Sequence, residues 1–88
     1  MEMKYIAVNN DHGWGKGDSL GAARKRSLVE GRRATFVRVW EIADGKGDDA
    51  YVDGMGVVYG VKPETVKDYK RAKVTSHKWS EVPHDPKA

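Results

Sequence analysis

Between Asp11 and Arg26 a short apolar strand runs into Gly13, Trp14, Gly15, Lys16 and Gly17 and then into a basic, helix-forming stretch. This passage restricts the fold more than any other, because glycines at that density end one element and hand the chain to the next. The arrangement has the chemistry of a phosphate-cradling turn: glycines admit a ligand to the backbone, a helix start aims free amides at it, and Lys16 and Arg24 add positive charge. Asp18 and Ser19 work against that, since a helix cap with its own acceptor repels an anion there. The stretch is therefore read as a strand-to-helix connection, with Trp14 folded back as a small core plug.

Eighty-eight residues support one domain, expected over residues 1–82 with a flexible tail at 83–88. There is no cysteine, so packing and not disulfides holds the chain together, which suits a reducing cytoplasm. The start lacks the pattern of a secretory signal, and the chain reads as soluble, unprocessed and without a membrane span.

Met3 to Val8 read as a first strand and residues 19–30 as a helix capped by Asp18 or Ser19. Leu20, Ala23, Ser27 and Leu28 share a narrow face of that helix, and Gly31 stops it. Residues 34–42 carry apolar side chains on both faces, as a central strand does. A polar connection over residues 44–49 leads to a return strand from Ala50 to Tyr59, with Gly54 and Gly56 forming a groove or bulge within it. Pro63 opens a predicted second helix to Ala72, in which Val66, Tyr69 and Ala72 face inward and Lys67, Lys70 and Arg71 outward. Residues 74–79 make a predicted last strand.

The order implies an α+β fold of the ferredoxin-like β-α-β-β-α-β type, an antiparallel sheet with two helices on one face and the other face bare. The alternative is β-α-β-β-α with an irregular C-terminal segment, because Ser76, His77, Lys78 and Ser80 are poor core material. Tyr5 and the Gly54–Val58 stretch partly resemble the RNA-recognition motif. Asp53 stands where that family has a base, however, and Met55 and Val57 stand where it has stacking aromatics.

Chemistry at a site is sparsely signalled. The glycine run lacks the Lys-Ser/Thr pair of a P-loop and the spacing of a dinucleotide turn. His12, His77 and His84 show no metal-ligand spacing, and Ser76 and His77, as strand neighbours, point to opposite faces. The acids from Asp44 to Asp53 lack the alternation of a calcium loop and read as a solvated hairpin tip. No enzyme activity, metal or cofactor is expected.

Charge is more informative. The net charge is +3, but residues 24–38 carry +5, residues 41–53 carry −4 and residues 62–78 carry +4, so the molecule is electrically polarised. Arg24, Lys25, Arg26, Arg32, Arg33, Lys67, Lys70 and Arg71 are the candidate nucleic-acid contacts. Trp14, Tyr59 and Trp79 are the candidate anchors for a protein partner.

The run Gly13 to Gly17 followed by Ser19, Leu20, Ala23 and Arg24, together with Tyr51 to Gly56, resembles segments of small accessory proteins of bacteriophages. That resemblance implies a factor that acts in the host cytoplasm by binding a host protein or nucleic acid and altering its behaviour, and the polarised charge with the exposed aromatics makes a host protein the first reading. The alternative is a basic nucleic-acid-binding module using Lys67, Lys70, Arg71 and the Arg32/Arg33 region.

Overall fold

Tyr5, Ile6, Ala7 and Val8 are extended-chain residues, and they form β1 (Tyr5–Asn9) in a computed structural model that describes residues 3–84. The glycine run that follows is a strand and not a loop: β2 (Trp14–Gly17) pairs antiparallel with β1. Residues 10–13 join them, closed by the Asn9 amide donating to the Gly13 carbonyl at 2.9 Å, with His12 in the left-handed region at φ 67°.

Glycine is tolerated in β2 because of what lies on it. Strand alternation puts Gly15 and Gly17 on one face and Trp14 and Lys16 on the other. Helix α1 (Leu20–Ser27) crosses the glycine face so closely that a Cβ at Gly15 would strike the Arg26 and Ser27 backbone, and one at Gly17 the Ala22 and Ala23 backbone, inside the 3.0 Å that real Cβ atoms keep. The predicted cap is present: Ser19 Oγ accepts from the Ala22 amide at 3.1 Å.

β3 (Phe36–Glu41) is the predicted central strand, flanked by β1 and by β6 (Lys67–Lys70). β7 (Ser80–Val82) pairs with β6, completing an antiparallel sheet in the order β2-β1-β3-β6-β7. Between β3 and β6 the chain forms a separate two-stranded ribbon, β4 (Tyr51–Val52) and β5 (Val58–Tyr59), and a short 3₁₀ turn over Pro63–Thr65.

The ferredoxin-like expectation is therefore wrong, and so is its β-α-β-β-α alternative: the fold is mostly β, with one α-helix among the described residues. Pro63 starts only one turn, after which Val66 is extended at ψ 135° and residues 67–70 join the sheet. The predicted return strand over residues 50–59 is itself the β4–β5 hairpin, and the last strand lies at 80–82 and not 74–79. Pro83 and His84 follow β7, with His84 beside Asp68, while the rest of the expected tail, residues 85–88, lies outside the described residues.

Each face of the sheet carries an apolar cluster. On the helix side, Ala7, Val37 and Val39 pack with Ala23, and Tyr5, Leu20, Tyr69 and Trp79 close around them. On the other side, Ile6, Ile42 and Ala50 form a second cluster with Met3, Trp40, Val52, Val58 and Val61, so the ribbon supplies the lid. Tyr5 is part of the helix-side core, so it is not placed to stack on bases.

Gly15→Ala is expected to destabilise the fold by about 1–3 kcal/mol through overpacking against α1. Gly21→Ala, inside α1 where an added methyl meets nothing within 4 Å, is expected to stabilise by about 1 kcal/mol from helix propensity. Urea denaturation of the two variants beside the parent measures both, and equal effects would contradict the close approach.

Candidate functional site

The ribbon is built around Asp53. Its amide donates to the Val57 carbonyl at 3.0 Å, and its Oδ1 accepts from the Met55 and Val57 amides at 2.8 and 2.9 Å. Gly56, at φ 83°, takes the left-handed position that ends the turn. The second carboxylate oxygen accepts from the Tyr59 hydroxyl at 3.1 Å. The Val57 amide, joined by the Met55 amide and the Tyr59 hydroxyl, outweighs desolvation and holds the Asp53 carboxyl below its ordinary pKa. The same hydrogen bond, with the charge behind it, raises the Tyr59 hydroxyl, so the phenol keeps its proton and its orientation.

Two-residue alternation then divides the ribbon. Val52 and Val58 pair across it and pack inward on the second core cluster. Tyr51 and Tyr59 pair on the outer face, with ring centroids 4.9 Å apart and planes at 19°. They remain 47% and 42% exposed, beside Val57 at 48% and Met55 at 91%. These four large side chains cover no core.

Asn9 builds the facing turn by the same chemistry. Its Oδ1 accepts from the Asp11 and Gly13 amides at 2.8 and 2.9 Å, while its Nδ2 donates to the Ser27 carbonyl at 2.8 Å and to that of Gly31 at 3.4 Å. Between the two turns lies a cleft of about 480 Å³, walled by Asn10, His12 and Trp14 on one side and Val52, Gly54 and Gly56 on the other. Trp14, 40% exposed, is neither a core plug nor part of a flexible connection. Its indole stands on the ribbon side of the sheet because its glycine neighbours occupy the helix side.

The other predicted anchor, Trp79, packs against the helix-side core between Arg71, 4.7 Å from its ring centroid, and Arg24 at 5.9 Å. The basic residues do not gather on a second helix, since residues 67–70 form a strand. In β6, Lys67 and Lys70 project to opposite faces, and Lys70 lies over Phe36. Arg71 donates to the carbonyls of Ala34, Ser76 and Arg32, tying three segments together. Lys25 and Arg26 are exposed in the last turn of α1, and Arg32 and Arg33 in the loop after it. Sequence reasoning missed Tyr51, Met55 and Val57 as outward-facing residues. The available signal was Asp53-Gly-Met-Gly, a turn sequence set between two alternating pairs.

Next to the ribbon, on the same face, a row crosses all five strands: Trp14, Val8, Arg38, Asp68 and Val82. Arg38 grips the buried Asp68 through Nε at 2.8 Å and Nη2 at 3.1 Å, and His84 Nδ1 lies 3.0 Å from the same carboxylate. Burial pushes the Asp68 carboxyl up, but the hydrogen bonds from Arg38 and His84 and the charge of Arg38 prevail and leave it lowered. No helix among the described residues is long and apolar enough to cross a membrane. No protein-family model, curated protein or solved structure matches the chain.

Because the folded-state pKa of Asp68 lies below the ordinary 3.8, the stabilisation it gives is complete above the ordinary value and fades as pH falls through the folded one. Asp68→Asn is expected to cost about 3–5 kcal/mol at neutral pH, since it leaves Arg38 facing a neutral amide in a buried site. Its loss of stability on acidification should also be shallower than the parent's, as read by urea denaturation from neutral pH downward.

Proposed function

We propose that the chain is a non-catalytic protein-binding module, an accessory factor of the kind its two short motifs resemble, which docks a larger host protein through the outer face of the ribbon and Trp14. One observation carries this reading: Tyr51, Met55, Val57 and Tyr59 project from a ribbon whose other side is already committed to the core. Exposed apolar residues scattered singly need no explanation, but four on one small, hydrogen-bonded element are a contact surface.

The surface is also prepared for binding. Tyrosine gives a large contact area with few torsions to freeze, and the ring stack together with the Asp53 bond fixes Tyr59 before a partner arrives. The cleft beside the ribbon tip is large enough to take a partner's side chain against Trp14. Support for a nucleic-acid reading is weaker, since Arg71 is spent on carbonyls and Lys67 and Lys70 oppose each other across the sheet. Support for catalysis is weaker still: His12 lies at the β1–β2 turn, His84 at Asp68, and His77 in the exposed segment before β7.

Met55→Ser with Tyr59→Ser is expected to weaken capture of the host partner by about 2 kcal/mol or more, about thirtyfold. Nuclease-treated host lysate passed over the immobilised parent and variant measures this, and the variant's melting temperature verifies its fold. Equal capture by the two proteins, or capture abolished by nuclease, removes the reading.

A further inference from the structure

The ribbon surface has a charge as well as a shape, and the two together select a partner chemistry. Asp48 and Asp49 are exposed immediately before Ala50 and Tyr51, and Asp53 stands ionised at the other end of β4. Two lysines from outside residues 41–53 reach this loop. Lys16 Nζ donates to the Gly47 carbonyl at 2.9 Å, and Lys62 Nζ lies 3.4 Å from Asp44 and 3.8 Å from Glu41. Lys16 and Lys62 bring two positive charges against the −4 of residues 41–53, so the root of the ribbon keeps a net charge of −2, with Asp48, Asp49 and Asp53 the acids nearest the tyrosines.

Resting on the docking reading above, we infer that the occupant of the ribbon is a basic, arginine-bearing segment of the partner protein. A guanidinium is planar, so it stacks on an aromatic face while its N–H edge remains free to meet a carboxylate, and lysine cannot do both. Tyr51 and Tyr59 are stacked on each other, which leaves the outer faces of the pair as a platform. The Tyr59 hydroxyl donates to a carboxylate, which enriches its ring in electron density and favours a cation over it. Met55 and Val57 supply the apolar contact on which the methylene stem of an arginine lies. An anionic partner meets repulsion on this side, so nucleic acid and acidic membrane are disfavoured here. The helix side of the molecule, with Arg24, Lys25, Arg26, Arg32 and Arg33, carries the opposite sign, which makes a second copy of this chain the rival occupant.

Selection from a random displayed-peptide library on the parent protein, with counter-selection on Tyr51→Ser/Tyr59→Ser, tests the inference. The expected result is ribbon-dependent peptides rich in arginine. Replacing that arginine by its neutral isostere citrulline, or introducing Asp48→Lys/Asp49→Lys in the protein, should weaken binding by about tenfold or more. Ribbon-dependent peptides without basic enrichment overturn the inference and leave the docking reading standing. Absence of any ribbon-dependent peptide removes both. Sedimentation of the parent at rising concentration provides the remaining arm: self-association that Tyr51→Ser/Tyr59→Ser abolishes assigns the ribbon to a second copy and overturns the inference.

Discussion

The contact of α1 with the bare backbone of β2 is the constraint on which the rest of the molecule depends. Gly15 and Gly17 remove every side chain between helix and strand, so α1 reaches the sheet at backbone distance and Ala23 joins Ala7, Val37 and Val39. Asn9 secures that approach by donating from the β1–β2 turn to carbonyls at and beyond the end of α1. Asn10 and Asp11 continue the link, since their side chains accept from the amides of Thr35, Phe36 and Arg33. One short turn thus sets where the helix ends and at which residue β3 begins beside β1. Strand alternation extends the same constraint to the opposite face, where Trp14 walls the cleft and Lys16 holds the acidic loop through the Gly47 carbonyl.

How much of this was legible depends on whether the signal was local. The Ser19 cap, the central position of residues 36–41 and the polar loop near residues 44–49 are visible in residue type and spacing alone. β2 was not visible, because glycine has poor strand propensity and only the helix above makes its absent side chain an advantage. β6 was hidden for a different reason. Val66, Tyr69 and Ala72 fit a helical spacing, while in the real strand Tyr69 faces the helix-side core and its neighbour Asp68 is buried on the opposite face, where its partner Arg38 comes from far away in the chain. A buried carboxylate breaks the apolar alternation by which strands are recognised. Tyr59 and Trp14 are exposed as their residue types suggest, whereas Trp79 packs on the helix-side core because its arginine neighbours come from α1 and from the residue after β6. The ribbon turn was misread from the outset: Gly54 and Gly56 look like gaps in a strand until Asp53 is seen as the acceptor that folds them into a turn.

A chain of this size divides its apolar residues between two sides of one sheet, and each cluster is small and made largely of alanine, valine and isoleucine. Packing of such modest side chains specifies register weakly, so buried polar groups supply what the apolar ones lack. Asn9 fills its donor and acceptor capacity against four backbone partners, and Asp68 takes the paired hydrogen bonds of Arg38. A slip of one residue in β1 or β6 would leave either group buried without partners, at a cost of about 1–3 kcal/mol for each unsatisfied amide atom and more for the carboxylate.

The ribbon inherits its order from that framework. A hairpin with two residues in each strand is not stable alone, so β4 and β5 persist because Val52 and Val58 complete the second cluster and Asp53 closes the turn. Inward residues therefore hold the ribbon on the sheet, while the outward ones, large, aromatic and aliphatic, touch only the ribbon itself through the tyrosine stack and the Tyr59–Asp53 bond. Charge gives this arrangement a direction, because the acidic loop lies at the ribbon's root and the basic residues of α1 and the loop after it lie across the sheet. An approaching molecule with an exposed basic segment is turned toward the ribbon before contact, and one of opposite charge is turned toward the helix.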